Sequence, residues 1–287
     1  MNVYQLVKEK FILPHAYEDW KSYRTQVTTL ILQPFYHTDH NGTLTILGAG
    51  RCNDIDLPAC VKVFSSITLI DEDSDALTEA VKVLPPQTRK QITLSINTLS
   101  GISSGDTEAF CNTVLQYVKS RGYALSEQEY VNYTLSQLSF LKEKLYKTPS
   151  DLSSFLPAKS SDLVVCLGVH SQLFSILAYC LEILDYNISQ QVLKVSHSHL
   201  DYFQPVLHDM IDKTIPLLNQ AILEASTTYC FIGCEYNEAS PVAGAYQSIL
   251  DIRNRTNQIT LTENHLKWSF NPAQNIVYDM LLQTCLI

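Results

Sequence analysis

The spacing of apolar and polar positions changes several times along the chain, and each change marks an element. Over residues 1 to 36 apolar side chains recur at three- and four-residue intervals, broken by Pro14 and Pro34, which predicts helices near 2–11 and 16–32. From Leu44 to Leu47, LTIL, the pattern becomes a short, mostly apolar run, which predicts a strand. After a glycine-containing turn, Ile55 to Val63 returns to helical spacing, with Pro58 tolerable in a first turn. A second strand, Ser66 to Ile70, ends in Asp71-Glu72-Asp73; a helix over 74–84 stops at Pro85-Pro86; a third strand spans Gln91 to Ile96. Strand, helix, strand, helix, strand with short links predicts a parallel sheet, because right-handed crossovers place helices on both of its faces.

The region between Gly101 and Ser161 is too long for one crossover helix. It reads as two, about 106–121 and 126–147, the second opened by Ser126 with Glu129 three residues on, the signature of a capping box. Asp162 to Leu167 is the fourth strand, closed by Gly168. Helices near 170–184, 189–203 and 204–226 lead to a fifth strand, Thr228 to Gly233. A last helix over 240–252 precedes strand segments at Gln258 to Leu261, His265 to Trp268 and Ile276 to Cys285, and adjacent strands after a final helix predict an antiparallel hairpin.

Composition narrows the functional classes. With 287 residues, 46% of them hydrophobic, the chain can bury a large core. Lys and Arg number 20 against 29 Asp and Glu, a net charge of -9 with no concentrated basic block, so a nucleic-acid backbone is disfavoured as the main partner. The first twenty residues are charged throughout, and no run reaches the about 18 apolar residues of a membrane span. The expectation is a cytoplasmic protein with no membrane partner. Its eight cysteines form no C-x-x-C pair and several lie in apolar runs, which suits reduced, buried thiols.

Candidate chemistry begins at LTILGAGRCNDIDL, Leu44 to Leu57. A strand that runs into a glycine turn and then a helix brings bare backbone N–H groups and a positive dipole end to one place. Gly48 and Gly50 permit close approach of a ligand, while Asn53 stands where a dinucleotide loop has its third glycine. Asp71, at the end of the second strand, can accept both ribose hydroxyls of an adenosine. The alternative is that the glycines only shape a turn and Asp71 caps a helix.

LTILGAGRCNDIDL followed by ITLIDEDSDAL resembles the first two motifs of class I S-adenosylmethionine-dependent methyltransferases. SINTLSGI, DLVVCLGVHSQLF and HLKWSFNPAQNIVYDMLLQTCLI are similar to later parts of that family, in patches over about residues 40 to 287. The resemblance implies a seven-stranded, mostly parallel, doubly wound α/β sheet with an antiparallel C-terminal hairpin. It implies a helical lid over 1–40, a Rossmann-like domain over 41–287, and helical insertions about 106–155 and 176–210. It also implies S-adenosylmethionine as cofactor: Gly48, Ala49 and Gly50, with Asn53 and Asp54, under the methionine part; Asp71 and Glu72 at the ribose; Asn97 and Thr98 at the adenine; Gly168 and Val169 beside the transferred methyl. Tyr23 or Arg24, on the helix before the sheet, would meet the methionyl carboxylate; the alternative is that Trp20 packs in the core and Arg24 is solvated. The sequence departs from the family pattern at Ile46 and Cys52, where an acid and a further glycine are common.

His170, just past the fourth strand, is placed either for a general base or for a helix cap. His197, His199, Asp201 and His208 fall in one short run, but on the helix expected there His197 and His199 would diverge, so a lid or solvated face is expected rather than a metal site. Sixteen Tyr, 10 Phe and 2 Trp, with the insertions, favour a small or medium-sized organic or peptide acceptor, and a helical insertion could support a homodimer. The family's N-P-P-Tyr type motif is absent after the fourth strand, where GVHS stands, so an oxygen, nitrogen or sulfur acceptor remains open. Two rival functions are carried forward: an NAD-dependent oxidoreductase using the same loop, and a scaffold that binds S-adenosylmethionine or a protein partner without catalysis.

Overall fold

A computed structural model describes residues 2–36 and 42–287; the expected domain boundary at 40 and 41 lies outside the described residues. In chain order the elements are α1 (Val3–Lys10), α2 (Ala16–Asp19), α3 (Lys21–Leu32), β1 (Gly42–Leu47), α4 (Leu57–Cys60), β2 (Phe64–Asp71), α5 (Ser74–Ala80), β3 (Ile92–Ile96), α6 (Ser104–Arg121), α7 (Glu127–Glu143), β4 (Ser161–Leu167), α8 (Ser175–Ile188), α9 (Leu200–Ala225), β5 (Ser226–Glu235), α10 (Ala245–Arg253), β6 (Thr260–Asn271) and β7 (Ile276–Leu286). The strands form one seven-stranded sheet in the order β3-β2-β1-β4-β5-β7-β6. β1 to β5 are parallel, whereas β7 runs antiparallel to both β5 and β6. The order reverses between β1 and β4, the switch point at which sheets of this kind bind ligands beyond their strand ends.

Burial follows position in the sheet. The central strand β4 has Leu163, Val164, Val165 and Cys166 fully buried, because helices or loops cover both faces, whereas edge strand β3 leaves Leu94 and Ile96 exposed. The antiparallel edge strand β6 is a single element that joins the two short segments expected at 258–261 and 265–268.

The chain divides into two compact units, each with its own core. The sheet unit comprises residues 14–99, 147–171 and 215–287, and its core includes Val27, Ile31, Leu69, Val165 and Phe231. The helical unit comprises residues up to 13, 100–146 and 172–214, centred on Val7, Val114, Tyr130, Leu138, Leu181 and Phe203. The two long excursions of the sequence thus supply most of the helical unit. Of the expected N-terminal lid, α1 belongs to the helical unit, while α2 and α3 belong to the sheet unit.

Local chemistry explains most helix limits. Ser126 and Glu129 form the anticipated capping box, with Glu129 Oε2 accepting from the Ser126 amide at 3.0 Å; Ser103 and Asp106 form another at α6. The helix expected over 55–63 is only the turn α4, capped by the Asp56 side chain. The helices expected over 189–203 and 204–226 are replaced by a π turn, Ser189–Leu193, a non-helical stretch over 194–199, and the 26-residue α9. Pro205 and Pro216 do not end α9. An interior proline costs a helix about 3 kcal/mol, but Phe203, Met210, Ile215, Leu218 and Ile222 keep a helical period and are fully buried, each contributing about 1.5–3 kcal/mol. All eight cysteines are free and buried.

Candidate functional site

The site is built on the carboxyl ends of β1, β2, β4 and β5, within the sheet unit. After β1 the chain turns through Gly48 (φ +62°), Gly50 (φ +48°) and Cys52 (φ +51°), left-handed conformations that favour glycine at the first two positions. A Cβ on Gly48 would lie 2.4 Å from Val169 Cγ2, so the turn after β1 closes against the turn after β4. A Cβ on Gly50 would meet nothing within 4 Å, so this face of the loop is open.

Asp71 joins the loop to the second strand. Its Oδ2 accepts from the Gly50 amide at 2.9 Å and its Oδ1 accepts from the Asp73 amide at 2.9 Å. Burial raises its pKa, and these two bonds oppose the rise. The two residues singled out from sequence are therefore in direct contact. Glu72 is exposed beside them. The Asn97 amide donates to the Asp71 carbonyl at 3.1 Å, and Asn97 Nδ2 donates to Ser95 Oγ at 2.8 Å, which leaves its Oδ1 as an acceptor; Thr98 follows, half-buried.

Arg24 and Tyr23 are buried on α3. The Arg24 guanidinium donates to the carbonyls of Tyr17 (2.6 Å) and Asn53 (2.9 Å) and lies 3.8 Å from the Tyr17 ring centroid. It fastens the end of the glycine loop through the Asn53 carbonyl rather than facing solvent. Tyr23 stacks on Trp268 with centroids 5.0 Å apart and planes 16° apart. Burial and the Asp54 carboxylate raise the Tyr23 phenol well above its usual value. Burial pushes half-buried Asp54 up to about 6, against the pull of a bond to its own backbone and of the Arg24 charge.

His170 sits where the sequence puts it, past Gly168 (φ +63°) and Val169, but it is only 2% exposed. Arg255 holds Asp251 through two bonds at 2.9 and 3.0 Å, and Asp251 Oδ2 accepts from Asn219 Nδ2 at 2.9 Å. A carboxylate only accepts, so the Asn219 amide has one orientation, with Oδ1 toward His170 Nε2 at 2.9 Å. Nε2 therefore carries the ring proton, and Nδ1 is left to accept from the Cys234 thiol at 3.7 Å. Burial lowers the His170 pKa to about 4. Gly244 (φ +81°) closes the same corner, for a Cβ there would lie 2.2 Å from the His170 carbonyl oxygen. As a helix cap His170 also does not serve, since α8 begins at Ser175.

Two residues that sequence reasoning passed over lie here. Glu235 ends β5 and its Oε2 accepts from Ser171 Oγ at 2.8 Å; burial raises its pKa. The signal was available, because an acid closing an apolar strand is the same feature that marks Asp71. Asn219 carried no such signal, being one polar residue among many on a long helix.

Among the described residues, no helix is long and apolar enough to cross a membrane. No family model matches the chain, and no curated protein matches it by sequence. Solved structures similar to it include the N-methyltransferase NodS of Bradyrhizobium japonicum WM9 in complex with S-adenosyl-L-homocysteine (12% identity, 100% of this chain and 98% of that one, TM-score 0.43). Others are magnesium protoporphyrin IX methyltransferase of Synechocystis PCC 6803 with bound S-adenosylmethionine (8%, 99% and 97%, TM-score 0.44) and the YcgJ protein of Bacillus subtilis (8%, 91% and 98%, TM-score 0.45). With five parallel strands, a switch point between β1 and β4, and β7 inserted antiparallel between β5 and β6, the fold is that of the class I S-adenosylmethionine-dependent methyltransferases.

Proposed function

We propose that the protein is an S-adenosylmethionine-dependent methyltransferase acting on a small or medium-sized organic acceptor. The observation that carries this reading is the Gly50–Asp71 contact, which sets a strand-end carboxylate against an open glycine turn at the sheet's switch point. A carboxylate has lone pairs beyond the two that Asp71 uses, so it can still accept ribose hydroxyls. Asn97 Oδ1 suits the amino edge of adenine, and the loop from Gly48 to Asp54 suits the methionine part. S-adenosylmethionine supplies, when bound, an electrophilic methyl group on a sulfonium.

This chain's residues then have little to do beyond orienting the acceptor and receiving its proton. We assign proton removal to Glu235, whose burial raises its basicity and whose orientation Ser171 fixes. His170, neutral and bonded inward at both nitrogens, acts as a positioning residue for the turn after β4.

Calorimetric titration with S-adenosylmethionine, S-adenosylhomocysteine and NAD tests the cofactor. The first two should bind and should weaken about 5- to 150-fold in Asp71→Ala, the equivalent of about 1–3 kcal/mol for unmet polar groups. Binding of NAD alone would move the assignment to an oxidoreductase. A binding-only protein is the second reading, favoured by the inward bonding of His170; it predicts cofactor binding with no S-adenosylhomocysteine formed across an acceptor panel.

A further inference from the structure

The helical unit holds a group of ligand-type side chains that methyl transfer does not use. His197 and His199 lie on the non-helical stretch between the π turn and α9, so the divergence expected on a helix does not arise. His197 Nε2 is 2.8 Å from Glu127 Oε2 and His199 Nε2 is 3.3 Å from the same oxygen. One ligand atom from each of the three lies within 4.8 Å of the others. Donors placed tetrahedrally at zinc's usual 2.0–2.1 Å bond length are about 3.3 Å apart. His199 and Glu127 already have that spacing, and the closer pair joins two exposed side chains that can part slightly.

Hydrogen bonds on the buried side fix how the His199 ring is turned toward Glu127. His199 is 2% exposed, and its Nδ1 is 2.9 Å from Oδ1 of Asp185, itself only 1% exposed. The other oxygen, Oδ2, accepts from the His199 amide (2.9 Å) and from Ser198 Oγ (2.8 Å); Ser189 Oγ lies 3.2 Å from Nδ1. A carboxylate that only accepts requires the proton on Nδ1. The nitrogen that faces Glu127 across the 3.3 Å gap is then Nε2, the atom a metal ion held between the two would take. A buried carboxylate that fixes the tautomer of an imidazole is the outer arrangement common to zinc-ligating histidines.

We propose that Glu127, His197 and His199 bind a zinc ion, with Asp185 orienting His199 and water completing the coordination on the exposed side. Imidazole and carboxylate suit a first-row divalent ion of zinc's softness. The ion would fasten the first turn of α7 to the stretch that leads into α9, and His208, exposed on α9, takes no part.

The test is titration of chelator-treated full-length protein with zinc chloride against a chromophoric chelator, with thermal melts in parallel. One equivalent should bind, and the melting temperature should rise until that equivalent is taken up. His197→Ala removes an exposed ligand; its melt without metal should match the parent, while its zinc affinity should fall about tenfold or more. His208→Ala should bind as the parent does. The proposal is overturned if the parent takes up no stoichiometric zinc, or if His197→Ala binds it equally well. It is also overturned if NMR of the zinc-treated protein shows His199 as a doubly protonated imidazolium at neutral pH, for then a proton fills the gap.

Discussion

Asn219 decides which nitrogen of His170 carries the proton, although the two residues are 49 positions apart. The decision originates at Arg255, which holds Asp251, which in turn holds the amide. Removing the amide in Asn219→Ala leaves the His170 N–H buried without a partner, which should cost about 1–3 kcal/mol. Urea denaturation of parent and variant at neutral pH measures the difference, and an unchanged midpoint would show that His170 finds another acceptor.

Stability should respond to acid with two opposed contributions. His170 has a folded pKa of about 4, below its ordinary value of 6.5, so the unfolded chain binds more protons between those limits. Its contribution is therefore present above pH 6.5 and lost as pH falls toward 4, amounting to about 3 kcal/mol. Asp54, raised from 3.8 to about 6, has the reverse sign: its contribution is present below pH 3.8 and lost as pH rises through 6. The two offset each other over pH 4 to 6. In Asp54→Asn the opposing part is gone, so unfolding free energy should climb more steeply with pH across that range than in the parent. Equilibrium denaturation at half-unit steps would reveal parallel curves if this account failed.

The Gly50–Asp71 bond should order the loop even without ligand. Amide hydrogen exchange at Gly50 is expected to quicken in Asp71→Ala, because the N–H loses its acceptor. Asp71→Asn can restore a carbonyl to only one of the two amides now served, Gly50 or Asp73, and should give an intermediate pattern. Exchange at Gly50 that is indifferent to both changes would locate its protection elsewhere.

The two loop glycines should differ in tolerance. Gly48→Ala meets both left-handed strain and a clash with Val169 Cγ2 and should cost about 1–3 kcal/mol. Gly50→Ala meets the strain alone and should cost about 1 kcal/mol. Adding Val169→Ala to Gly48→Ala should recover part of the loss, and a double-mutant cycle of melting temperatures reads the coupling directly.

The sheet and its glycine turn were legible because they depend on contiguous residues: an apolar run, two glycines, an acid at a strand end. The roles of Arg24, His170 and His199 were not, because each depends on a partner brought near only by folding. Arg24 serves the Asn53 carbonyl, His170 answers to Asn219, and His199 faces Glu127, 72 positions away. For His197 and His199 the error was also local. A helix expected over 189–203 would have separated them, but the chain leaves the π turn through Lys194 in a left-handed conformation, and the stretch to α9 is non-helical.

The burial of all eight cysteines gives the molecule a built-in reporter of its own opening. Cys52, Cys60, Cys166, Cys230, Cys234 and Cys285 belong to the sheet unit, and Cys111 and Cys180 to the helical unit. A thiol reagent added to native protein should find no fast-reacting group, and each thiol should label at the rate at which its surroundings part. Mass spectrometry of the labelled peptides would then show whether the two cores open together or in sequence, with no residue introduced for the purpose.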